Sequence, residues 1–220
     1  MKYPESRLLV FTRAPVAGQV KTRLVPLLGE QGAADFHARL VHRCLETVTG
    51  TGLCPVDLWC SPSIDEPFFQ SCRTRYGVRL QRQIQGNLGQ RMQHALVSAL
   101  QTCRGAVLVG TDCPSLTSRD LDASLDELQR GTEVVLGPAR DGGYYLIGGN
   151  TAEPLWFTDI PWGTSAVLGE TVARLHRAGV GYHCLDERQD VDTPADYRRL
   201  HANGVLSTHG GPTAAPGPRE

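Results

Sequence analysis

The sequence predicts an α/β protein: a single domain built on a mostly parallel sheet with helices on both faces. Three observations predict it. Short apolar runs of strand length alternate along the chain with longer runs of helical periodicity. Motifs rich in Asp and Gly follow directly on several of the apolar runs, where the carboxyl ends of parallel strands would lie. At 220 residues the chain is long enough for one large domain with a sizeable core.

The elements follow in order. Residues 7–11, Arg-Leu-Leu-Val-Phe, read as a strand, and residues 30–48 as a helix in which Ala33, Phe36, Leu40, Val41, Cys44, Leu45 and Val48 recur at helical spacing. Residues 56–60 and 78–80 are further strands, and residues 89–103 a helix with Met92, Ala95, Leu96, Ala99 and Leu100 on one face. The apolar strand at 106–109 runs into Gly110-Thr111-Asp112, and a Thr117-x-x-Asp120 capping box opens a helix over 118–130. Strands follow at 134–136 and 144–147, a helix near 166–178 and a strand at 181–185. Thr193 as cap, Pro194 at the first helical position and Asp196 at the third start a last helix. The domain is expected to cover residues 1–203, and the Gly, Pro and Ala rich residues 204–220 to form a disordered tail.

The net charge of −1, from 22 basic and 23 acidic residues, argues against a nucleic-acid or membrane-surface partner and makes any cation cluster a local one. No apolar run approaches the length of a membrane span, and the residues around Met1-Lys2-Tyr3-Pro4-Glu5 do not read as a signal peptide; a cytoplasmic location is expected. Seven cysteines without a Cys-x-x-Cys pair read as reduced thiols packed as small hydrophobes.

Four motifs at strand ends carry the chemistry. In Val10-Phe11-Thr12-Arg13-Ala14-Pro15-Val16-Ala17-Gly18-Gln19-Val20-Lys21-Thr22-Arg23-Leu24, Gly18 lets the backbone approach a ligand and Lys21 and Arg23 supply charge suited to a di- or triphosphate. The spacing is not that of a Walker loop, and solvated surface cations are the alternative. In Gly110-Thr111-Asp112-Cys113-Pro114, Asp112 follows a buried strand, where a carboxylate caps a helix, makes a turn before proline or holds a cation. A hard divalent ion, Mg2+ or Mn2+, shared with substrate phosphates suits it better than zinc. In Gly137-Pro138-Ala139-Arg140-Asp141-Gly142-Gly143-Tyr144, Asp141 is a candidate general base or acceptor ligand and Gly142, Gly143 and Tyr144 a candidate acceptor surface; a plain hairpin turn explains the same residues. In Asp190-Val191-Asp192-Thr193-Pro194, Thr193 already serves as cap and leaves Asp192 for a second metal contact.

Together these segments resemble the GT-A-like nucleotide-diphospho-sugar transferase superfamily. Within it the chain is most similar to the bacterial selenodomain-associated, or glycosyltransferase-like, transferases, which share F-x-R-x-P-x-x-G-x-V-K-T-R-L, G-T-D-C-P and D-G-G-Y-Y-L-I-G over roughly residues 7 to 200. The resemblance implies a Rossmann-like sheet that binds a nucleotide sugar or a nucleoside triphosphate, with Mg2+ or Mn2+ between its phosphates and aspartate. It implies that Arg13, Gly18, Lys21 and Arg23 serve the nucleotide, that Asp112 and Asp192 serve the metal, and that Asn87 and Arg91 belong to the loop bordering the nucleoside. Pyrophosphorylases of the superfamily place Pro-Lys after their arginine motif, whereas Arg23 here is followed by Leu24-Val25-Pro26-Leu27-Leu28. The implied reaction is sugar transfer to a small acceptor, with Lys21 and the metal stabilising the departing diphosphate and Asp141 as base. The alternative is nucleotidyl transfer with release of pyrophosphate, as in small-molecule guanylyltransferases, which carry a lysine just before Thr-Arg-Leu or Ser-Arg-Leu.

Overall fold

The structure is a computed structural model that describes residues 1–202. The expected tail over 204–220 lies outside the described residues. Seven strands, β1 (Ser6–Arg13), β2 (Val56–Ser61), β3 (Arg79–Arg82), β4 (Gly105–Gly110), β5 (Val134–Pro138), β6 (Tyr144–Gly149) and β7 (Tyr182–Cys184), form one sheet in the order β3-β2-β1-β4-β6-β5-β7. Every pairing is parallel except the two made by β6, which runs against β4 and β5. The mostly parallel expectation holds, and the one reversed strand has a local cause. Only residues 139–143 separate β5 from β6, and so short a connection allows an antiparallel hairpin but not a crossover.

Period-two alternation sorts the core. Leu8 and Val10 of β1 face α1 (Val25–Gly50), α2 (Pro67–Tyr76) and α4 (Ser118–Gln129), where Val41, Leu45, Phe69, Leu121 and Leu125 are fully buried. Leu9 and Phe11 face the other layer, α3 (Leu88–Leu100) and α5 (Val167–Arg177), with Met92, Leu96, Trp156 and Leu175. A third cluster joins Leu24, Phe36 and Leu40 of the α1 region to Val191 and to Leu200 of α6 (Pro194–Ala202). This last cluster pins the chain beyond β7 to the start of the molecule.

Two helices depart from the sequence reading. The expected helix over 30–48 begins earlier, at Val25, because Pro26 sits in its first turn and Gly29, at φ 69° and ψ 168°, kinks the chain rather than ending the helix. Helix α2 was not expected at all. It buries only Phe69 and Cys72, too few anchors to give a helical period, and it ends in an αL Gly77 whose N–H reaches Arg73 O. The capping boxes at Thr117/Asp120 and Thr193/Asp196 form as read. All seven cysteines are unpaired, and no described helix is long and apolar enough to cross a membrane.

Candidate active site

From β1 the chain winds outward through β2 and β3, then returns over α3 to β4 on the opposite side of β1. Strand order therefore reverses between β1 and β4, and a crevice opens beyond their carboxyl ends. It holds a cleft of about 710 Å³. Its lining brings together Arg13, Gln83 and Arg91 with Tyr144, Trp162 and Thr164, and with Lys21, Asp112, Asp141, Asp190 and Asp192.

Lys21 takes a left-handed backbone conformation, φ 47° and ψ 40°, costly for a residue with a Cβ. The turn sends its ammonium inward. Nζ lies 2.7 Å from Asp112 Oδ1, donates to Val191 O at 2.7 Å and stands 3.8 Å from Asp192 Oδ1, with the side chain only 3% exposed. Arg23, largely exposed, pairs with Asp192 Oδ2 at 2.5 Å. Both motif cations thus face carboxylates.

The Asp-Val-Asp segment is fixed by its middle residue. Val191 is fully buried; its N–H donates to Asp112 O at 2.9 Å and its carbonyl accepts from Lys21. That anchor brings Asp190 beside the end of β4. Asp190 Oδ1 is sealed from solvent and has no hydrogen-bond partner. Burial, then the neighbouring Asp112 and Asp141 carboxylates, push its carboxyl up to about 7. The sequence reading passed over Asp190. Its signal was the alternation of two acids around one apolar residue.

The floor of the cleft is a buried polar network. Gln83 donates from one amide nitrogen to Thr12 O and Trp59 O at 3.1 and 2.8 Å, and accepts from Arg91 Nη1 at 3.0 Å. Burial and the nearby Arg13 lower the Arg91 pKa. His37 Nε2 lies 3.0 Å from Arg13 O, which fixes it as the donor nitrogen, and burial lowers its pKa. Neither Gln83 nor His37 was anticipated. His37 stands one helical turn from Ala33 and from Val41, so a polar residue on the buried face of α1 was the available sign.

Some expected residues stand elsewhere. Gly18 makes a positive-φ turn against Glu30 and is outside the cleft lining; Asn87 spends its side chain on the capping box of α3. Asp141 is exposed at the cleft, where its Oδ1 accepts from Gly143 N at 2.9 Å. Gly143 and Tyr144 line the cleft. Tyr144 stacks edge-on to Trp162, and burial raises its pKa. Gly142 lies behind this surface, and its carbonyl accepts from Leu168 N at 2.9 Å. Cys113 is inert as a nucleophile, since burial pushes its thiol up to about 12.

At Gly142 a Cβ would stand 2.2 Å from the Ser165 carbonyl oxygen, and φ is 88°. Gly142→Ala is expected to cost about 1–3 kcal/mol in backbone strain and to shift the Asp141 turn away from α5. Chemical denaturation would read the loss; wild-type stability in the variant would refute the close approach.

A divalent ion fits the donors present. Asp112 and Asp190 are hard oxygen donors, and the sealed, unpartnered Asp190 oxygen beside two further carboxylates is a local excess of negative charge. Among the described residues no three His, Cys, Asp or Glu side chains are arranged to hold a metal by themselves.

Comparison with known proteins gives the setting. Residues 44–164 match the family described as "Uncharacterized protein conserved in bacteria (DUF2064)". No curated protein matches the chain. Among solved structures, one from Desulfovibrio desulfuricans G20, provisionally assigned as a nucleotide-diphospho-sugar transferase, is 30% identical with a TM-score of 0.83, covering 93% of this chain and 90% of its own. Glucosyl-3-phosphoglycerate synthase from Mycobacterium tuberculosis, in complex with Mn2+, UDP and glucosyl-3-phosphoglycerate, is 11% identical with a TM-score of 0.55, over 92% of this chain and 77% of its own. CMP:2-keto-3-deoxy-manno-octonic acid synthetase complexed with CTP is 12% identical with a TM-score of 0.56, over 90% and 98%. The last two are likenesses of fold.

Proposed function

Taking as premise that the chain belongs to the DUF2064 family of bacterial proteins, we propose that it is a metal-dependent transferase that moves a sugar from a nucleotide-sugar donor to a small acceptor. The observation that carries this reading is the gathering of Asp112, Asp141 and Asp190 around one cleft at the strand-order reversal, with buried Lys21 against Asp112 and exposed Arg23 beside it. Similarity to a nucleotide-diphospho-sugar transferase over nine-tenths of both chains supports it.

Asp112 and Asp190 would hold Mg2+ or Mn2+, with Asp192 beside them. Bound there, the ion supplies a Lewis acid that neutralises charge on a departing diphosphate. Lys21 and Arg23 add fixed positive charge on the same side. Arg13 and Arg91, the latter held by Gln83, suit the nucleotide, whose base, ribose and phosphate oxygens need donors. Asp141, on the β5–β6 turn at the cleft, has an exposed carboxylate with one backbone donor, and so has capacity left to accept the proton of an acceptor hydroxyl. Tyr144 and Trp162 form an apolar surface beside it, suited to a sugar face.

The deciding assay follows nucleoside diphosphate release from sugar nucleotides in parallel with pyrophosphate release from nucleoside triphosphates, each with candidate acceptors. Acceptor-dependent diphosphate release is expected. Pyrophosphate release alone would replace sugar transfer with nucleotidyl transfer on the same residues. Lys21→Ala is expected to weaken nucleoside diphosphate binding by about ten-fold or more, since a charged contact to phosphate is worth roughly 1.5–3 kcal/mol, while binding of the bare nucleoside is unchanged. Equal losses for both ligands in calorimetry would contradict that role.

A further inference from the structure

We infer that the Lys21 ammonium is a built-in occupant of the divalent-ion seat, which holds the Asp112 carboxylate until nucleotide phosphate draws it away, so that metal and nucleotide enter together. This rests on the reading of the cleft as a metal and nucleotide site, and deepens it.

The contacts of Lys21 are those of a cation in a cage of oxygens. Its nitrogen is 2.7 Å from a carboxylate oxygen of Asp112, 2.7 Å from the Val191 carbonyl and 3.8 Å from Asp192 Oδ1. The first of these is sealed from solvent, and so is Oδ1 of the adjacent Asp190. An ion that took Asp112 Oδ1 as ligand would meet a positive charge within the same few ångströms, where Coulomb repulsion is weakly screened. Lys21 and the ion therefore compete for one oxygen. The backbone favours the present arrangement, because the αL turn at Lys21 and the fully buried Val191 together aim the ammonium at the seat. Arg23 does not compete in the same way, since it is largely exposed and pairs with the outer oxygen of Asp192.

Phosphate changes the balance. A diphosphate entering the cleft offers Lys21 an anionic partner and offers the ion further oxygen ligands, so the two exchanges support one another. By linkage, whatever factor nucleotide adds to metal affinity, metal adds to nucleotide affinity. Side-chain rotation of a flexible four-carbon stem is enough; no change in the sheet is required.

The test measures MnCl2 binding to the full chain without nucleotide, by the loss of the free Mn2+ paramagnetic resonance signal. The proteins compared are wild type, Lys21→Met and Lys21→Gln. Methionine keeps the buried stem and removes the charge. Glutamine keeps a donor for Val191 O, which guards against a collapse of the segment, and near-ultraviolet circular dichroism verifies the fold of each. Both variants are expected to bind Mn2+ at least ten-fold more tightly than wild type. Equal or weaker binding by folded Lys21→Gln would overturn the inference, whatever the enzyme transfers. Repeated with a nucleoside diphosphate present, the titration is expected to show tighter Mn2+ binding by wild type. No nucleotide effect in wild type would overturn the joint entry of metal and nucleotide even if the variants bind Mn2+ more tightly, and neither result depends on which group the enzyme transfers.

Discussion

Asp112→Ala is expected to abolish divalent-dependent nucleotide binding and to leave a cooperatively folded protein. Asp112 is the carboxylate at the end of β4, a central strand paired with β1 and β6, so it is placed by the most rigid part of the sheet. With it gone, Asp190 and Asp192 remain on a single segment, and nothing opposes them from the sheet. The fold should tolerate the change, because the side chain is 47% exposed and contributes to no apolar cluster. One cost follows from Lys21, which loses its closest carboxylate but keeps the Val191 carbonyl. Removing one partner of a wholly buried pair costs about 3–5 kcal/mol; with one partner half-exposed, about 1–2 kcal/mol is expected here. Calorimetry of nucleoside diphosphates with and without Mn2+, alongside thermal unfolding, measures both. Metal-dependent affinity equal to wild type would remove Asp112 from the site.

Asp141→Asn is expected to lower turnover by roughly 10² to 10⁴ while donor and metal affinity persist, as general-base assistance acts in the transition state. The substitution is unusually clean. The amide oxygen of asparagine can still accept from Gly143 N, the contact that shapes the turn at 2.9 Å, so loop and glycines should stay in place. Charge and basicity are what change. Steady-state kinetics with saturating donor separates the outcomes: diphosphate release at the wild-type rate would retain the reaction class and dismiss Asp141 as base.

The parts of the molecule that were legible in its sequence are those written by local rules. Period-two and helical spacing located all seven strands to within a few residues, and Thr-x-x-Asp spacing located two helix starts, because those signals depend on near neighbours alone. The candidate motifs around Lys21, Asp112 and Asp141 stood out for a similar reason: each lies in the loop that follows a strand. Helix α2 was not legible, since packing against α1 rather than periodicity stabilises it, with Phe69 as its main anchor. The partners of Lys21 were not legible either. A lysine in a loop looks alike whether it meets solvent or, 91 and 170 positions later, an aspartate and a carbonyl. Asp190 was likewise hidden by distance in sequence, as the carboxylates that face it, Asp112 and Asp141, come from far earlier in the chain.

The third apolar cluster has a consequence for how the protein is made. Lys21 and Asp112 leave the ribosome long before Val191 and Leu200, yet the seat they share is closed by Val191, and Val191 is secured by packing on Leu24, Phe36 and Leu40. A nascent chain can therefore complete most of its sheet while its binding centre is still missing a side. A ligand of the cleft would add nothing to such an intermediate and would stabilise only the molecule whose final helix has docked.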